Sequence, residues 1–265
     1  HELEKAFILQ NDDNRIVFVL PYENDFSLIG TTDVEYTGEP SKVAIDNDEV
    51  EYLIRITNDH FKQQISKSDV IHTYSGVRPL LEDESSDPQA VTRDYTLEIQ
   101  SENGRAPILS VFGGKITTYR KLAEAAVNQL NEFFPEMKSP WTKQARLPGG
   151  DFESKSQLLD ELSVLFPFLP NRLITRFVRS YGTLSYRLLD GVNSLEDLGI
   201  CFGSDLFQAE VNYLIKHEWA RTVEDILWRR TKLGLRFSSQ ETSRLTHYLE
   251  QYWLKSDLEI IKQAC

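Results

Sequence analysis

Between residues 6 and 112 apolar residues come in short blocks or alternate with polar ones, the two-residue period of strands whose faces differ. Ala6–Gln10, Arg15–Leu20 and Phe26–Ile29 predict strands, the last two antiparallel through the polar turn Glu23-Asn24-Asp25. Val70–Val77, Tyr95–Ile99 and Ile108–Phe112 predict three more, with Glu102-Asn103-Gly104 turning between the final pair. One helix breaks the run. Val50, Leu53, Ile54 and Phe61 share a helical face and Asp46 with Glu49 has the capping-box spacing, so a helix is expected over about 46–63.

After Phe112 the period changes. Gly113-Gly114 switches strand to helix, and Tyr119, Leu122, Ala123, Ala126, Leu130 and Phe133 hold helical spacing until Pro135. Pro135, Pro140, Pro148, Gly149 and Gly150 then fall in a stretch without periodicity, which reads as a linker. Beyond it helices are expected over 155–166, 170–180, 205–217, 222–233 and 238–262, with caps at Thr222/Asp225 and Ser238/Glu241. The fold class is therefore α+β: a β-rich antiparallel region over 1–112, a strand-Gly-Gly-helix unit over 107–134, a linker over 135–150 and an all-helical C-terminal domain over 151–265.

Composition narrows the function. In 265 residues, 40% hydrophobic and 26% charged is the balance of a folded chain, which excludes collagen, disorder and a small disulfide scaffold. With 29 lysines and arginines against 41 acidic residues the net charge is −12, which repels a nucleic-acid backbone. Cys201 and Cys265 give neither a disulfide framework nor a metal knuckle, and the five histidines lack metal-ligand spacing, so no metal site is expected. No stretch approaches the roughly 18 apolar residues of a membrane span and no signal-peptide layout opens the chain, so the expected residence is cytoplasmic. A start at His1, running almost at once into a strand, suggests a piece cut from something longer.

Three places could carry chemistry. At Gly113-Gly114-Lys115-Ile116-Thr117, two glycines let a ligand approach the backbone where free N–H groups gather at a helix start, and Lys115 adds a full positive charge. Taken alone, the pair is better explained by a tight turn with Thr117 or Thr118 capping the helix. Tyr74-Ser-Gly-Val-Arg-Pro79 ends a strand with Arg78 at its end and Arg93 stands at a strand start, so that these two and Lys115 could converge on a small phosphate or carboxylate. Surface ion pairing with the abundant acids accounts for them as well. Thr31 and Thr32 supply hydroxyls after a strand, in a run that also suits an Asx turn. No Walker loop, Gly-x-Ser-x-Gly elbow or Gly-x-Gly-x-x-Gly fingerprint is present. Trp219, Leu227, Trp228, Tyr248, Trp253 and Leu254 would form either core or a subunit contact, and Arg229-Arg230 would solvate a helix face.

In order along the chain, Arg15–Pro21, Ile29-Gly-Thr-Thr-Asp-Val34, Thr73-Tyr-Ser-Gly-Val-Arg-Pro79, Thr92-Arg-Asp-Tyr95, Ser110-Val-Phe-Gly-Gly-Lys-Ile-Thr-Thr-Tyr-Arg120, Leu147-Pro-Gly-Gly150 and His217-Glu-Trp-Ala220 through Leu227-Trp-Arg-Arg230 resemble the FAD-dependent aerobic glycerol-3-phosphate dehydrogenase family. The resemblance spans nearly the whole chain but only the C-terminal half of that enzyme. It implies oxidation of sn-glycerol 3-phosphate to dihydroxyacetone phosphate with FAD as hydride acceptor and quinone beyond it. It also implies peripheral attachment to the cytoplasmic face of the inner membrane, and a homodimer is a candidate. Gly113, Gly114, Lys115, Ile116 and Thr117 are then flavin neighbours; Arg78, Arg93, Lys115 and Thr32 bind substrate, and Arg78 and Lys115 are the catalytic candidates. Without the dinucleotide fingerprint the chain alone is expected not to retain FAD and to be inactive by itself, with apolar surface uncovered and disorder near residues 105–130. Two alternatives stand beside this: a helical interaction or dimerisation module, and a related FAD-dependent amine or amino-acid oxidase.

Overall fold

The computed structural model describes residues 5–30, 34–77, 94–101 and 105–264, and these divide into two compact units on either side of Ala145–Arg146.

In the first unit β1 (Phe7–Gln10), β2 (Ile16–Tyr22) and β3 (Phe26–Gly30) form an antiparallel sheet in that order. Glu23 and Asn24, both in the left-handed region at φ 46° and 68°, make the hairpin turn that suits right-twisted strands. The register places Leu9 opposite Val17 and Val19 opposite Ile29 on one face, and Ile8 opposite Phe18 and Leu20 opposite Leu28 on the other. Helix α1 (Asn47–His60) covers the first face: Tyr52 and Ile56 join Leu9, Val17 and Val19 in a small core. The expected capping box is present, with Glu49 N–H donating to Asp46 at 2.8 Å and Asp46 N–H donating to Glu49 at 3.1 Å. Tyr52 also donates to Asp13 at 3.3 Å beneath the Arg15 guanidinium, 3.8 Å from its ring centre. The helix ends at His60, short of residue 63, because Phe61 is already extended.

Strands β4 (Tyr95–Gln100) and β5 (Ile108–Gly113) pair antiparallel, and α2 (Tyr119–Gln129) follows. Their expected turn, 102–104, lies outside the described residues. Disorder over 105–130 is not what the structure has, since β5 and α2 are formed; the expected uncovered apolar surface is there, at Ile108, Val111 and Phe112. Val70–Val77 forms no strand. It runs exposed and without a ladder partner among the described residues, and an apolar run becomes a strand only when a neighbour takes its N–H and C=O groups.

The second unit packs α3 (Lys155–Leu165), α4 (Asn171–Tyr181), the single turn α5 (Ser185–Leu188), α6 (Gln208–His217) and α7 (Ser239–Ala264) around one core that includes Leu162, Phe177, Leu214 and Leu245. Helix was expected from residue 205, but α6 starts at Gln208. A small hairpin of β6 (Cys201–Gly203) and β7 (Leu206–Phe207) precedes it, turned by Ser204 and Asp205 at φ 43° and 64°. Within 222–233 the helix is a π-turn, Asp225–Arg230, closed by Thr231 N–H donating to Ile226 C=O at 3.0 Å. Both expected caps form: Thr222 N–H donates to the Asp225 carboxylate at 3.0 Å, and Ser238 N–H to Glu241 at 2.8 Å. Leu227 is buried and Tyr248, Trp228 and Trp253 pack on the core, so these residues are packing, whereas Trp219 and Leu254 are exposed. Arg229 and Arg230 do not simply solvate a face; both reach Asp225, at 2.9 and 3.2 Å.

Candidate active site

The strand-turn-helix expected at Gly113 is built as follows. Tyr95 pairs with Gly113 at the end of the β4–β5 ladder, and the chain turns through Gly113 and Gly114 at φ 71° and 95°. Both positions exclude a side chain twice over. The left-handed backbone disfavours a Cβ, and a Cβ at Gly113 would lie 2.9 Å from the Asp94 carbonyl oxygen, one at Gly114 3.1 Å from the Leu122 side chain. Lys115 is extended and starts a 3₁₀ turn, Ile116–Thr118, whose Thr118 N–H and hydroxyl both donate to the Lys115 carbonyl, at 2.9 and 2.8 Å. This 3₁₀ turn, absent from the sequence reading, sets α2 back to Tyr119.

The N–H groups of Lys115, Ile116 and Thr117 precede the first closed turn and have no intrahelical acceptor. Gly113 through Thr117 are all exposed, Ile116 at 88%. Lys115 has no ion pair among the described residues. The result is an open, donor-rich, positively charged edge. Such an edge suits a flat, electron-rich ring that gains negative charge on reduction, which is the flavin end of FAD. The ADP end has no such fit here, because the chain contains no Gly-x-Gly-x-x-Gly.

Behind the turn α2 is braced. Arg120 donates to Glu124 at 3.3 Å and to the Thr142 hydroxyl at 3.1 Å, and Thr142 donates to Glu124 at 2.6 Å, tying residue 142 to the helix that carries the site. Arg78, Arg93 and Thr32, the other residues assigned to substrate, lie outside the described residues. Gly113, Gly114, Lys115, Ile116 and Thr117 are brought together as the turn requires.

Sequence reasoning missed a buried charged cluster in the second unit. Arg176 donates two bonds to Glu210, each 2.6 Å, and Tyr181 donates to the same carboxylate at 2.5 Å. Glu210 is wholly buried. Burial, then the Glu210 charge, holds the Tyr181 hydroxyl well above its ordinary pKa. The available signal was spacing: Glu210 lies three and four residues before Tyr213 and Leu214, on the apolar face of α6.

Residues 2–120 match the family described as FAD dependent oxidoreductase, and residues 140–250 the family described as the C-terminal domain of alpha-glycerophosphate oxidase. A glycerol-3-phosphate dehydrogenase of Pseudomonas aeruginosa is 53% identical over 94% of this chain and 49% of its own length. The aerobic glycerol-3-phosphate dehydrogenase of Escherichia coli is 49% identical over 95% and 50%, and a D-erythritol 1-phosphate dehydrogenase of Brucella abortus 44% identical over 92% and 49%. The chain thus spans about half the length of the relatives it matches.

Proposed function

Residues 2–120 match the FAD-dependent oxidoreductase family, and from that premise we propose that the chain supplies the substrate-facing and flavin-edge portion of an enzyme that oxidises sn-glycerol 3-phosphate to dihydroxyacetone phosphate. The observation that carries the reading is the exposed Gly113–Thr117 turn, where the N–H groups of Lys115, Ile116 and Thr117 have no intrahelical acceptor and Lys115 makes no ion pair among the described residues. When bound, FAD supplies the two-electron acceptor. The chain's own residues do the rest. The N–H groups of Lys115, Ile116 and Thr117 would hold the ring edge by electrostatic complementarity, and the two glycines permit the left-handed turn that presents them. Lys115, with Arg78 and Arg93 assigned from the resemblance, neutralises the phosphate dianion or polarises the C2 oxygen, and guanidinium groups suit phosphate because their donors meet two oxygens at once. Thr32 joins them as a hydroxyl partner. Arginine stays protonated at ordinary pH, so the group that takes the hydroxyl proton is another one.

Quinone as the onward acceptor, a homodimer, and a cytoplasmic protein attached to the inner membrane belong to the same proposal and rest on the resemblance. No helix among the described residues is long and apolar enough to cross a membrane. The similarity to the erythritol phosphate enzyme favours a second reading in which the substrate is a longer polyol phosphate.

The test joins this chain to the part of the Pseudomonas aeruginosa relative outside the match and measures flavin absorbance and dye reduction with both polyol phosphates. Lys115→Ala and Arg78→Ala should each raise KM for sn-glycerol 3-phosphate about tenfold or more, the scale of one charge-assisted phosphate contact. A yellow protein that ignores sn-glycerol 3-phosphate but oxidises D-erythritol 1-phosphate selects the second reading, and one that ignores both sinks the proposal.

A further inference from the structure

A cleft of about 380 Å³ opens in the second unit between the segment Arg187–Gly199 and one face of α6. Nothing in the reaction proposed above uses it. Asn212 and Lys216, one helical turn apart on α6, line it from one side, and Arg187 and Asp190 from the other.

The donors of this cleft are free. Arg187 and Lys216 are exposed, and neither has an ion pair among the described residues, in a chain where acids outnumber bases by 41 to 29. Asn212 accepts the Tyr248 hydroxyl on its Oδ1 at 2.7 Å, which leaves its NH₂ group to donate elsewhere. The two carboxylates differ. Asp197 accepts the N–H groups of Asn193 and Ser194 on Oδ2, each at 2.9 Å, so it is turned into its own loop. Asp190 is exposed and makes no such bond. Two cations without an ion pair among the described residues and an amide donor suit a phosphate group, and the Asp190 carboxylate beside them can accept hydroxyl protons.

We propose that this cleft is a second binding site, held within the helical unit, for a small phosphorylated polyol, with phosphate on Arg187 and Lys216 and a hydroxyl on Asp190. The volume lies within the range of small-molecule pockets. The choice of sn-glycerol 3-phosphate as probe rests on the function proposed above; the cleft's chemistry does not.

Calorimetric titration of the 265-residue chain with sn-glycerol 3-phosphate and, separately, with inorganic phosphate tests it. Saturable binding is expected, weakened about tenfold by Lys216→Ala and by Arg187→Ala and restored by Lys216→Arg. Asp190→Ala should remove the preference for the polyol phosphate over inorganic phosphate. No saturable binding up to about 10 mM, the weak end of useful affinity, overturns the proposal. So does binding lost with Lys115→Ala but kept with Lys216→Ala, an outcome that would leave the catalytic reading standing. Equal affinity for both probes overturns the polyol part.

Discussion

The two units bury apolar surface in different ways. Residues of the helical unit close a core of 24 buried hydrophobic side chains, whereas the described residues of the first unit close one of five. The first unit does not lack apolar residues. Its strands β1 and β2 are apolar on both faces, as in sheets covered on both sides, yet α1 covers only one. Ile8, Ile16 and Phe18 face solvent from the other, at 61%, 43% and 37% exposure. The helical unit is written to be self-sufficient, and the sheet unit to be completed by a second layer. The proposed flavin edge lies on the incomplete unit, where Ile108, Val111, Phe112, Ile116 and Tyr119 are also exposed. A ring-binding edge gains from such surroundings, because a ligand that covers apolar surface draws on the hydrophobic effect as well as on hydrogen bonds.

The comparison breaks most sharply at the buried charge of the helical unit. Glu210→Ala leaves the Arg176 guanidinium buried without its partner and should cost about 3–5 kcal/mol, read by urea unfolding followed through tryptophan fluorescence. A loss below about 1 kcal/mol would mean that the unit lets water in beside Arg176 and is less tightly closed than its core suggests. Replacing both partners with apolar residues should recover most of the loss, since no charge is then left buried alone.

Adjacent residues of β1 give the next test. Leu9 is buried against Val17 and α1, whereas Ile8 is largely exposed opposite Phe18. Leu9→Ala should cost about 2–4 kcal/mol and Ile8→Ala less than about 0.5 kcal/mol in this chain, measured by thermal unfolding. Equal losses would show the second face already covered in solution, and the contrast between the units would fail.

Much of this was legible in the sequence where the cause is local. The Asp46/Glu49 cap, the Glu23-Asn24 hairpin and the Gly113-Gly114 turn all follow from bonds or dihedrals set within four residues. What the sequence hid depends on distant partners. Val70–Val77 has the composition of a strand but joins no ladder among the described residues, and the β6–β7 hairpin is too short to show a period. The Arg176–Glu210 pair joins positions 34 apart, which no pattern within one helix announces. At the candidate site the Gly113-Gly114 turn could be read from its spacing, whereas the proposed flavin-edge role of Gly113–Thr117 rests on the family resemblance. The joining of Arg120, Glu124 and Thr142 behind them could not be read.

The smallest expected effect concerns a local cap in the helical unit and carries a pH signature. Burial raises the Asp225 carboxyl, but the N–H groups of Arg221 and Thr222, the Thr222 hydroxyl and Arg229 outweigh that and hold it down at about 2, against 3.8 when free. A carboxylate whose pKa is lowered by folding stabilises the fold fully above its free value and loses that contribution as pH falls through the folded one. Asp225→Asn keeps one acceptor oxygen but loses the charge that also holds Arg229 and Arg230. It should cost about 1 kcal/mol at pH 7, the size of a helix cap. The difference from the unsubstituted chain should shrink as pH falls from 4 to 2, as the carboxyl takes up its proton, first in the unfolded chain and then in the folded one. Denaturant unfolding of both proteins across that range decides the matter. A gap that stays constant down to pH 2 would mean that side-chain shape, and not the carboxylate's charge, secures this turn, and that the helical unit's surface caps add little to a core that is closed without them.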